Sequence, residues 1–385
     1  MLSLDDLLQP VTADQFHAEI DDRKPLHIPA DINAPKRSIL DWAQFNALLD
    51  QDSLWTPQSL KLVVNGRPVE PESYCVEAHT QAGVSLRPSP AKVQTWLARG
   101  ASLIAGDVQE LTPALRTLSA GLSRHFAGLV AANVYCSFGG VQAFETHFDL
   151  HHVFAVQVEG EKTWRLYDNR ADSPTTYPIE GPGIQGWFAQ TRGPLMQEIR
   201  MRPGDVLYIP RGWYHDALAT EGASLHVTFS ITPLHGKILF RLLEAAALQD
   251  PAFRAWLPSA ASDGERLQAH LAELGRRLAG LTALPEFRDE VAGAQERLTP
   301  RTPAYTLPDR PVRTLYRPTS LAAPAVHGLA AYALEWAMRQ PQVSLEELLA
   351  EFDFVPEAAL RNAFAAAERV GALIRIQVPA RPRRA

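Results

Sequence analysis

The sequence predicts an α+β chain in which a β-barrel occupies the middle and helices dominate the C-terminal third. From about Leu129 to Pro233, short apolar segments are separated by glycine- and proline-containing breakers, which is typical of closely spaced strands. After Pro233, apolar residues recur at steps of three and four, as in amphipathic helices. Residues 1–118 mix helical and strand-like segments, so they indicate an α/β region before the barrel.

Two segments of the predicted barrel contain candidate functional residues. His147 and Asp149 precede V-F-A-V-Q-V-E-G-E-K-T-W-R-L-Y, which is typical of two strands joined by a turn at residues 159–161. Such a hairpin would bring Lys162 back beside the His-x-Asp pair. The second segment, P-G-D-V-L-Y-I-P-R-G-W-Y-H, begins with a turn, continues as a short buried strand and ends at His215.

These residue types suit one kind of metal centre. Two neutral imidazoles and one carboxylate leave the opposite side of an ion open, which is the arrangement that non-haem Fe(II) oxygenases use. His147, Asp149 and His215 are therefore the candidate metal ligands and the candidate catalytic centre. One carboxylate leaves a net positive ion that can bind an anionic chelator. Lys162 would supply a positive charge for the distal carboxylate of a dicarboxylate cosubstrate.

Alternatives to this site follow from the same residues. His-x-Asp alone is a weak signal, because chance should produce about half an instance in a chain with this many histidines. His151 or His152 would reach the ion if the strand register differed. Lys162 could instead be a solvated hairpin residue. Histidines on strands are usually core or surface residues, and this interpretation is kept for His17, His27, His79, His125, His235, His270 and His327.

The motifs together resemble the JmjC-type 2-oxoglutarate oxygenases, and among them the ribosomal oxygenases that hydroxylate ribosomal proteins. The matching segments are N-V-Y at 133–135, H-F-D at 147–149, V-E-G-E-K-T-W-R-L-Y from Val158, P-G-D-V-L-Y-I-P-R-G-W-Y-H from Pro203 and S-L-H-V-T-F-S from Ser224. This resemblance implies a double-stranded β-helix, the cupin or jelly-roll barrel, with residues 1–118 as its N-terminal flank.

The resemblance also implies roles for individual residues. His147, Asp149 and His215 would bind Fe(II), Lys162 would bind the distal carboxylate of 2-oxoglutarate, and O2 would be the second cosubstrate. The expected reaction hydroxylates a histidine or arginine side chain of a ribosomal protein and releases succinate and CO2. Further pocket residues are expected on neighbouring strands, at Asn133, Tyr135, Thr228 and Ser230.

Two departures from the family bear on the target. Bacterial members that hydroxylate arginine tend to have arginine at the position of Lys162, whereas members that hydroxylate histidine have lysine. This difference favours a histidine target. His151 and His152 replace the acidic or apolar residues that are usual after the motif, which predicts a different substrate mouth.

Other functions fit the same residues. The same chemistry could act on another protein, a peptide or a small molecule, including N-demethylation of a methylated lysine or arginine, because loops around a barrel mouth select the target. A third hypothesis is a catalytically silent cupin barrel that binds a partner through its C-terminal module. The intact ligand set and Lys162 argue against this third hypothesis.

Composition limits the class of protein. The chain has 385 residues and a formal net charge of −6, so a broadly basic nucleic-acid surface is not expected. Cys75 and Cys136 are too few for a disulfide framework or a thiolate metal site, and they favour a reducing cytoplasm. The pattern predicts neither a signal peptide nor a membrane span. The arginine-containing tail R-P-R-R-A is expected to be solvated.

The sequence predicts four parts. They are an oxygenase domain with its flank at 1–233, a helical dimerisation region at 234–299, a proline-containing linker at 300–317 and a winged-helix-like module at 318–385. The helices after residue 233 have wide apolar stripes, which would pack on the same chain or form a homodimer interface, and the resemblance favours the homodimer.

The C-terminal module is predicted from three helices followed by the strand A-L-I-R-I-Q-V. A capping box at Ser344–Glu347 begins the second helix, and Pro356 begins the third. Winged-helix folds often bind DNA, but Arg361 and Arg369 are the only cations of the third helix, too few for contacts with several phosphates. Direct DNA binding is therefore not expected, and the module is interpreted as structural or protein-binding.

Overall fold

The computed structural model describes residues 3–31, 34–81, 83–139, 142–181, 183–219, 222–298 and 315–376. The chain divides into two compact units, Met1–Thr302 and Pro303–Ala385. Most of the predicted linker, residues 300–314, lies outside the described residues, as do Arg381, Arg383 and Arg384 of the predicted tail. Within the described part of the chain, no helix combines the length and apolar character that a membrane span requires.

The N-terminal flank contains short helices and strands that pack beside the barrel. Its helices are α1 (Leu4–Leu8), α2 (Ala13–Glu19), α3 (Trp42–Leu49), α4 (Pro71–Tyr74), α5 (Pro90–Ala98) and α6 (Pro113–Phe126). Its strands are β1 (Leu26–Ile28), β2 (Leu60–Val64), β3 (Arg67–Pro68), β4 (Cys75–Thr80), β5 (Gly83–Pro88) and β6 (Ser102–Ala105). Capping boxes begin the first three of these helices, which gives each a defined start despite its short length.

The barrel follows directly. Its elements are β7 (Gly128–Phe138), β8 (Gln142–His147), β9 (His152–Glu159), β10 (Lys162–Arg170), α7 (Ile184–Thr191), β11 (Leu195–Met201), β12 (Val206–Ile209), β13 (Trp213–Ala219) and β14 (Ala223–Pro233). One sheet has the order β1-β12-β9-β14-β7-β6-β2-β3, and a four-stranded sheet has the order β11-β10-β13-β8. All strand pairs in both sheets are antiparallel.

The turn at residues 159–161 is where predicted, but the predicted hairpin is wrong. Strand β9 pairs with β12 and β14 in the larger sheet, whereas β10 pairs with β11 and β13 in the smaller one. The chain therefore crosses from one sheet to the other at Gly160. A Cβ there would lie 1.9 Å from the carbonyl oxygen of Ala223, and φ is +62°, so the crossing requires glycine.

A helical region completes the first unit. It contains α8 (Ile238–Ala247), α9 (Pro251–Arg254), α10 (Gly264–Thr282) and α11 (Pro285–Glu296). Helix α10 has no buried residue, and α8 has only one. Large apolar side chains are exposed throughout the region, at Leu239, Phe240, Leu248, Trp256, Leu257, Leu271 and Leu284. The predicted amphipathic helices are present, and their apolar stripes are left largely uncovered by the described residues of this chain.

The second unit contains three helices and a small sheet. Its elements are β15 (Leu315–Pro318), α12 (Leu329–Met338), β16 (Val343–Ser344), α13 (Leu345–Glu351), α14 (Glu357–Arg369) and β17 (Leu373–Ile376). The predicted capping box at Ser344 is present. Strand β15 overlaps the end of the predicted linker and pairs with both β16 and β17. It was missed because its partners are distant in sequence.

Candidate metal centre

Two neighbouring strands and the segment after one of them bring the predicted ligands together. His147 ends β8 and lies directly opposite His215 on β13, and Asp149 follows β8 by two residues. The ligand atoms of the three residues all lie within 4.8 Å of one another. The Nε2 atom of His147 lies 3.9 Å from Oδ1 of Asp149, and that of His215 lies 3.5 Å from Oδ2.

Backbone contacts orient both imidazoles. Nδ1 of His147 donates to the carbonyl oxygen of Glu145 over 2.8 Å, and Nδ1 of His215 donates to that of Trp213 over 2.9 Å. A proton on Nδ1 leaves the Nε2 lone pair available toward Asp149, which is the tautomer that a metal ligand needs. The donor set and its orientation therefore fit a divalent metal ion such as Fe(II).

The charge states also suit a metal. Burial, together with the neighbouring His147, lowers the pKa of His215 to about 4, so this imidazole is neutral at pH 7. Burial of Asp149 disfavours its charged form, but His147, His151 and His215 outweigh that effect and hold its pKa below the usual value. His215 thus offers a neutral nitrogen and Asp149 a carboxylate without a proton having to leave first.

The two alternative histidines lie in different places. His151 is at the edge of the cluster, with Nε2 4.0 Å from Oδ1 of Asp149. His152 is buried on another side, where its Nδ1 contacts the Tyr208 hydroxyl at 3.3 Å and the backbone N–H of Arg211 at 3.3 Å. His152 is therefore not part of the cluster, and His151 is a neighbour of it.

A cavity of about 410 Å³ between the two sheets contains the cluster. Strands of the larger sheet form one wall, and the strands that bear the histidines form the other. Every residue that the sequence predicted for the site lines this cavity: Asn133, Tyr135, His147, Asp149, Lys162, His215, Thr228 and Ser230.

Lys162 is a buried cation in the wall of the cavity. Its relative exposure is 3%, so it is not a solvated hairpin residue. Burial lowers its pKa to about 8. Among the described residues it donates no hydrogen bond and forms no ion pair. A buried charge without a partner is unfavourable, and a carboxylate entering the cavity would supply that partner.

The remaining predicted pocket residues line the opposite wall. The side-chain oxygen of Asn133 accepts a hydrogen bond from the backbone N–H of Asp107 at 3.2 Å, so part of its role is structural. Burial, followed by the charge of Asp149, raises the pKa of Tyr135 to about 12, which keeps the phenol protonated. Thr228 lies opposite Asn133 in the pairing of β14 with β7, and Ser230 lies on the same face of β14.

His226 was missed by the sequence analysis. It is 3% exposed, and its ring stacks on that of Tyr135 with 4.8 Å between the ring centroids. The Trp164 ring lies nearly perpendicular to the His226 ring, with 5.6 Å between the centroids. Burial and the charge of Lys162 hold its pKa well below the usual value, so it is neutral. Residues 226, 228 and 230 alternate along one strand, and this period of two would have placed His226 in the pocket.

A polar network lies on the outer face of the four-stranded sheet, behind the His147–Asp149–His215 cluster. Oδ2 of Asp216 accepts hydrogen bonds from the Thr146 hydroxyl at 2.7 Å and the Tyr167 hydroxyl at 2.6 Å. Arg192 donates to both of these hydroxyls at 3.0 and 2.9 Å. Thr146 and Asp216 are sequence neighbours of the two histidine ligands, so the network joins β8 and β13 at the level of the metal site.

Comparisons with known proteins agree with this geometry. A JmjC domain model matches residues 110–237. Ribosomal oxygenase 1 of Danio rerio is 28% identical over 262 residues, which are 66% of this chain and 45% of that protein. Ribosomal oxygenase 2 of Bos taurus is 34% identical over 205 residues, 49% of this chain and 42% of that protein. The chain spans less than half the length of these curated relatives.

A third relative is the bifunctional lysine-specific demethylase and histidyl-hydroxylase NO66 of Culex quinquefasciatus, 28% identical over 222 residues, which are 57% of this chain and 32% of that protein. Among solved structures, Escherichia coli ycfD aligns with a TM-score of 0.51 and 16% identity, covering 95% of this chain and 98% of that one. YcfD, a ribosomal oxygenase from Escherichia coli, in complex with cobalt and 2-oxoglutarate aligns with a TM-score of 0.50 and 14% identity, with the same coverage.

These structural matches show the fold. The predicted cupin-type barrel within a mixed helix-and-strand chain is confirmed. Residues 110–237 therefore match a JmjC domain, and the relatives compared above are named ribosomal oxygenase 1, ribosomal oxygenase 2 and NO66.

Proposed function

We propose that this protein is an Fe(II)- and 2-oxoglutarate-dependent dioxygenase that hydroxylates a side chain of a ribosomal protein. The observation that supports this proposal most strongly is the presence, in one cavity, of the His147–Asp149–His215 cluster and the buried Lys162, which forms no ion pair with any described residue. The names of the relatives as ribosomal oxygenases support the substrate class.

The roles of the residues follow from their positions. Bound Fe(II) would supply oxygen activation, with 2-oxoglutarate as the reductant that leaves as succinate and CO2. His147 and His215 would hold the ion through Nε2, and Asp149 would offset part of its charge. Lys162 would neutralise the distal carboxylate of the cosubstrate, and its burial strengthens that attraction.

The opposite wall would orient the cosubstrate and exclude water. Tyr135 and Thr228 line the cavity, and their hydroxyls would donate hydrogen bonds to a carboxylate bound there. The stacked rings of Tyr135 and His226, with Trp164 against them, form a continuous surface beside Lys162. A wall of this kind keeps solvent from the reacting atoms, while the strands hold the target carbon in position.

Histidine is the proposed target residue. Lys162 occupies the position at which family members that act on histidine have lysine, and the NO66 relative is named as a histidyl-hydroxylase. The same name includes a lysine-specific demethylase activity, which makes N-demethylation of a lysine the second candidate reaction. The two reactions differ in product mass, because hydroxylation adds one oxygen atom and demethylation removes one CH₂ unit.

The test is turnover of the reconstituted protein. The chain is loaded anaerobically with Fe(II), and succinate release from 2-oxoglutarate is measured under air with and without extracted ribosomal proteins, whose intact masses are then compared. The proposal requires one ribosomal protein to gain one oxygen atom, and Asp149→Ala to abolish that gain. His79→Ala, at an exposed histidine, is the matched control. Succinate release with no mass change in any ribosomal protein would reject this substrate class.

The helical region is proposed to form a homodimer. The support is the uncovered apolar surface of α8 to α11, where Phe240 is 78% exposed and Trp256 is 97% exposed. Side chains of this size are rarely left in water on a monomer surface in such number. Sedimentation equilibrium of the wild type should give twice the monomer mass, and Phe240→Ser with Trp256→Ser should give the monomer. A monomeric wild type would reject the homodimer.

The second unit is proposed as a winged-helix-like module that contacts protein. Arg361 on α14 pairs with Glu357, and Arg375 on β17 pairs with Glu368, so these cations are already occupied by carboxylates. The proposed boundaries are 1–233, 234–299, 300–317 and 318–385. The free thiols of Cys75 and Cys136 support a cytoplasmic location.

DNA binding by the full chain tests the interpretation of the second unit as a protein-binding module. If the full chain retards labelled duplex DNA in a gel at physiological salt, that interpretation is rejected.

A further inference from the structure

A second cavity, of about 480 Å³, lies beside the metal cavity. His151 lines both cavities. Its ring is held between them, with Nε2 4.0 Å from Oδ1 of Asp149 and Nδ1 3.2 Å from the carbonyl oxygen of His152. A polypeptide that inserts one side chain into the metal cavity would therefore have neighbouring residues within reach of the second cavity.

The lining of the second cavity is cationic. Arg211 and Lys237 both line it, and among the described residues neither forms an ion pair. Asp22 is the one carboxylate among its described lining residues, and Asp22 is paired with Arg170. Burial and the charges of Arg211 and Lys237 lower the pKa of His235, so no third cation forms there. Arg211 and Lys237 thus line the cavity, and no carboxylate in the described part of the chain is paired with either of them.

Arg211 is fixed before a ligand arrives. Its Nη1 donates to Nδ1 of His235 over 3.0 Å, its backbone N–H donates to Nδ1 of His152 over 3.3 Å, and its carbonyl oxygen accepts from Nε of Arg170 over 3.0 Å. The bond to His235 orients the guanidinium, and the two backbone bonds fix the segment that carries it, so Arg211 loses little conformational freedom on binding. Its other N–H groups form the planar fork that matches a carboxylate.

Hydroxyl groups complete the lining. Ser173 and Thr175 lie in the segment between β10 and α7, and Thr232 lies near the end of β14. A hydroxyl can donate a hydrogen bond to the carboxylate oxygen that a guanidinium leaves unpaired. The cavity therefore offers two charges and several neutral donors, which is a donor-rich lining suited to a small anion.

We propose that the second cavity binds the carboxylate side chain of an aspartate or glutamate in the polypeptide substrate, close in sequence to the residue that enters the metal cavity. This inference rests on the proposed protein-hydroxylase function and extends it to the sequence around the target. A nucleic acid fits less well, because two unpaired cations would engage few phosphates and no aromatic residue other than histidine lines the cavity among those described.

Selection from a peptide library tests the proposal without requiring turnover. The full chain, loaded with Co(II) and 2-oxoglutarate under nitrogen, is immobilised and exposed to dodecapeptides that have histidine or arginine at one central position and random residues elsewhere. Retained peptides are sequenced. The expected result is enrichment of aspartate and glutamate at one fixed offset from the central residue.

Matched variants assign the enrichment to the cavity. Arg211→Gln and, separately, Lys237→Gln should each raise the dissociation constant of a selected acidic peptide about tenfold, which corresponds to the loss of one charge-assisted contact. A control peptide in which glutamine replaces the acidic residue should bind the wild type and both variants with the same dissociation constant. Lys237 is exposed, so its variant tests the idea even if Arg211→Gln does not fold. Arg266→Gln, on the surface of α10, should leave selection unchanged.

Three results would overturn the subsite. They are the absence of acidic enrichment at any offset, enrichment that persists in both variants, and binding of a twelve-nucleotide RNA in place of acidic peptides with the same dependence on Arg211. Hydroxylation of ribosomal proteins by the Fe(II)-loaded chain is measured separately. A chain that hydroxylates but shows no acidic enrichment therefore loses only the subsite, and one that shows enrichment but no turnover loses only the proposed reaction.

Discussion

The two faces of the four-stranded sheet differ in how far their polar groups are satisfied. On the outer face, Oδ2 of Asp216, Thr146, Tyr167 and Arg192 are joined by hydrogen bonds of 2.6–3.0 Å. Among the described residues, Oδ1 of Asp216 is the only buried polar atom of this network without a hydrogen-bond partner. On the inner face, the imidazole nitrogens converge on Asp149, and Lys162 has no anionic partner among the described residues. The outer face thus fixes the geometry of the strands, and the inner face is left for ligands to complete.

Loss of a metal ligand should have the largest effect and should act on the inner face alone. Asp149→Ala removes the only carboxylate of the cluster. Even residues that merely orient a metal ligand typically change metal affinity about 10–100-fold, so the loss of a ligand should exceed this range. Equilibrium dialysis against Fe(II) under nitrogen measures the affinity. Asp172→Ala, at an exposed aspartate, is the control, and equal affinities of the two variants would contradict the assignment.

Removal of the buried cation should come next. Lys162→Met should weaken 2-oxoglutarate binding about a hundredfold, because a charge-assisted contact in a buried site contributes about 2–3 kcal/mol. The same variant should be more stable toward denaturant near pH 7, because it removes an unpaired buried charge. These opposite signs separate a ligand-binding lysine from a structural one. If Lys162→Met is less stable than the wild type and binds 2-oxoglutarate with unchanged affinity, the assignment is contradicted.

Disruption of the outer face should have a smaller effect that reaches the inner face through the strands. Asp216→Asn exchanges an acceptor for an amide and should weaken metal affinity about tenfold, as expected for a residue that orients ligands from behind. Its free energy of unfolding should fall by about 1–3 kcal/mol. Tyr167→Phe removes one of the two hydroxyl donors. Its metal affinity and its free energy of unfolding should lie between those of Asp216→Asn and those of the wild type. If Asp216→Asn is destabilised but binds metal with normal affinity, the network stabilises the fold and does not orient the metal site.

The pH dependence should be the smallest effect. Because the pKa of Lys162 is about 8 in the folded cavity, raising the pH from 7 to 9 should weaken 2-oxoglutarate binding about tenfold at most. Lys162→Arg keeps its charge throughout this range and should show a flatter profile, whatever its affinity at pH 7. Calorimetric titration at several pH values measures both proteins. If the 2-oxoglutarate affinities of the wild type and Lys162→Arg change with pH in parallel, a group other than Lys162 causes the dependence.

The same pKa predicts how stability changes with pH. Between pH 8 and about 10.5 the unfolded chain holds more protons at Lys162 than the folded chain, so the contribution of this residue to stability is lowest below pH 8 and rises across that window. The rise is about 3 kcal/mol. Urea unfolding of the wild type and Lys162→Met measures this effect. The difference between their free energies of unfolding should be smaller at pH 9 than at pH 7.

Local patterns predicted much of the site and of the helical parts. Residue type and spacing identified His147, Asp149 and His215, and the turn at Gly160 followed from Glu159-Gly160-Glu161. Helical periodicity predicted α8 and α10, and a capping box predicted the start of α13. These features depend on contacts between residues that are close in sequence, or on chemistry that few residue types can supply.

Apart from the meeting of His215 with His147 and Asp149, the contacts between segments distant in sequence were not predicted. Strands β9 and β10 follow one another but belong to opposite sheets, because each finds better partners far along the chain than in its neighbour. Asp216 has no local signature, and the only local signal for His226 is its alternation with residues 228 and 230 along β14. Each takes its environment from strands that are adjacent only after folding.

The sequence by itself determined which side chains are candidates to bind a metal and a dicarboxylate, since this choice depends on imidazole, carboxylate and ammonium groups at suitable spacing. The tertiary structure decided which of them meet, which histidines lie elsewhere, and that a second, cationic cavity lies beside the first. The reason is physical. Alternation along a strand fixes the face of each residue, but the partner strand and its register are chosen by the packing of the whole barrel.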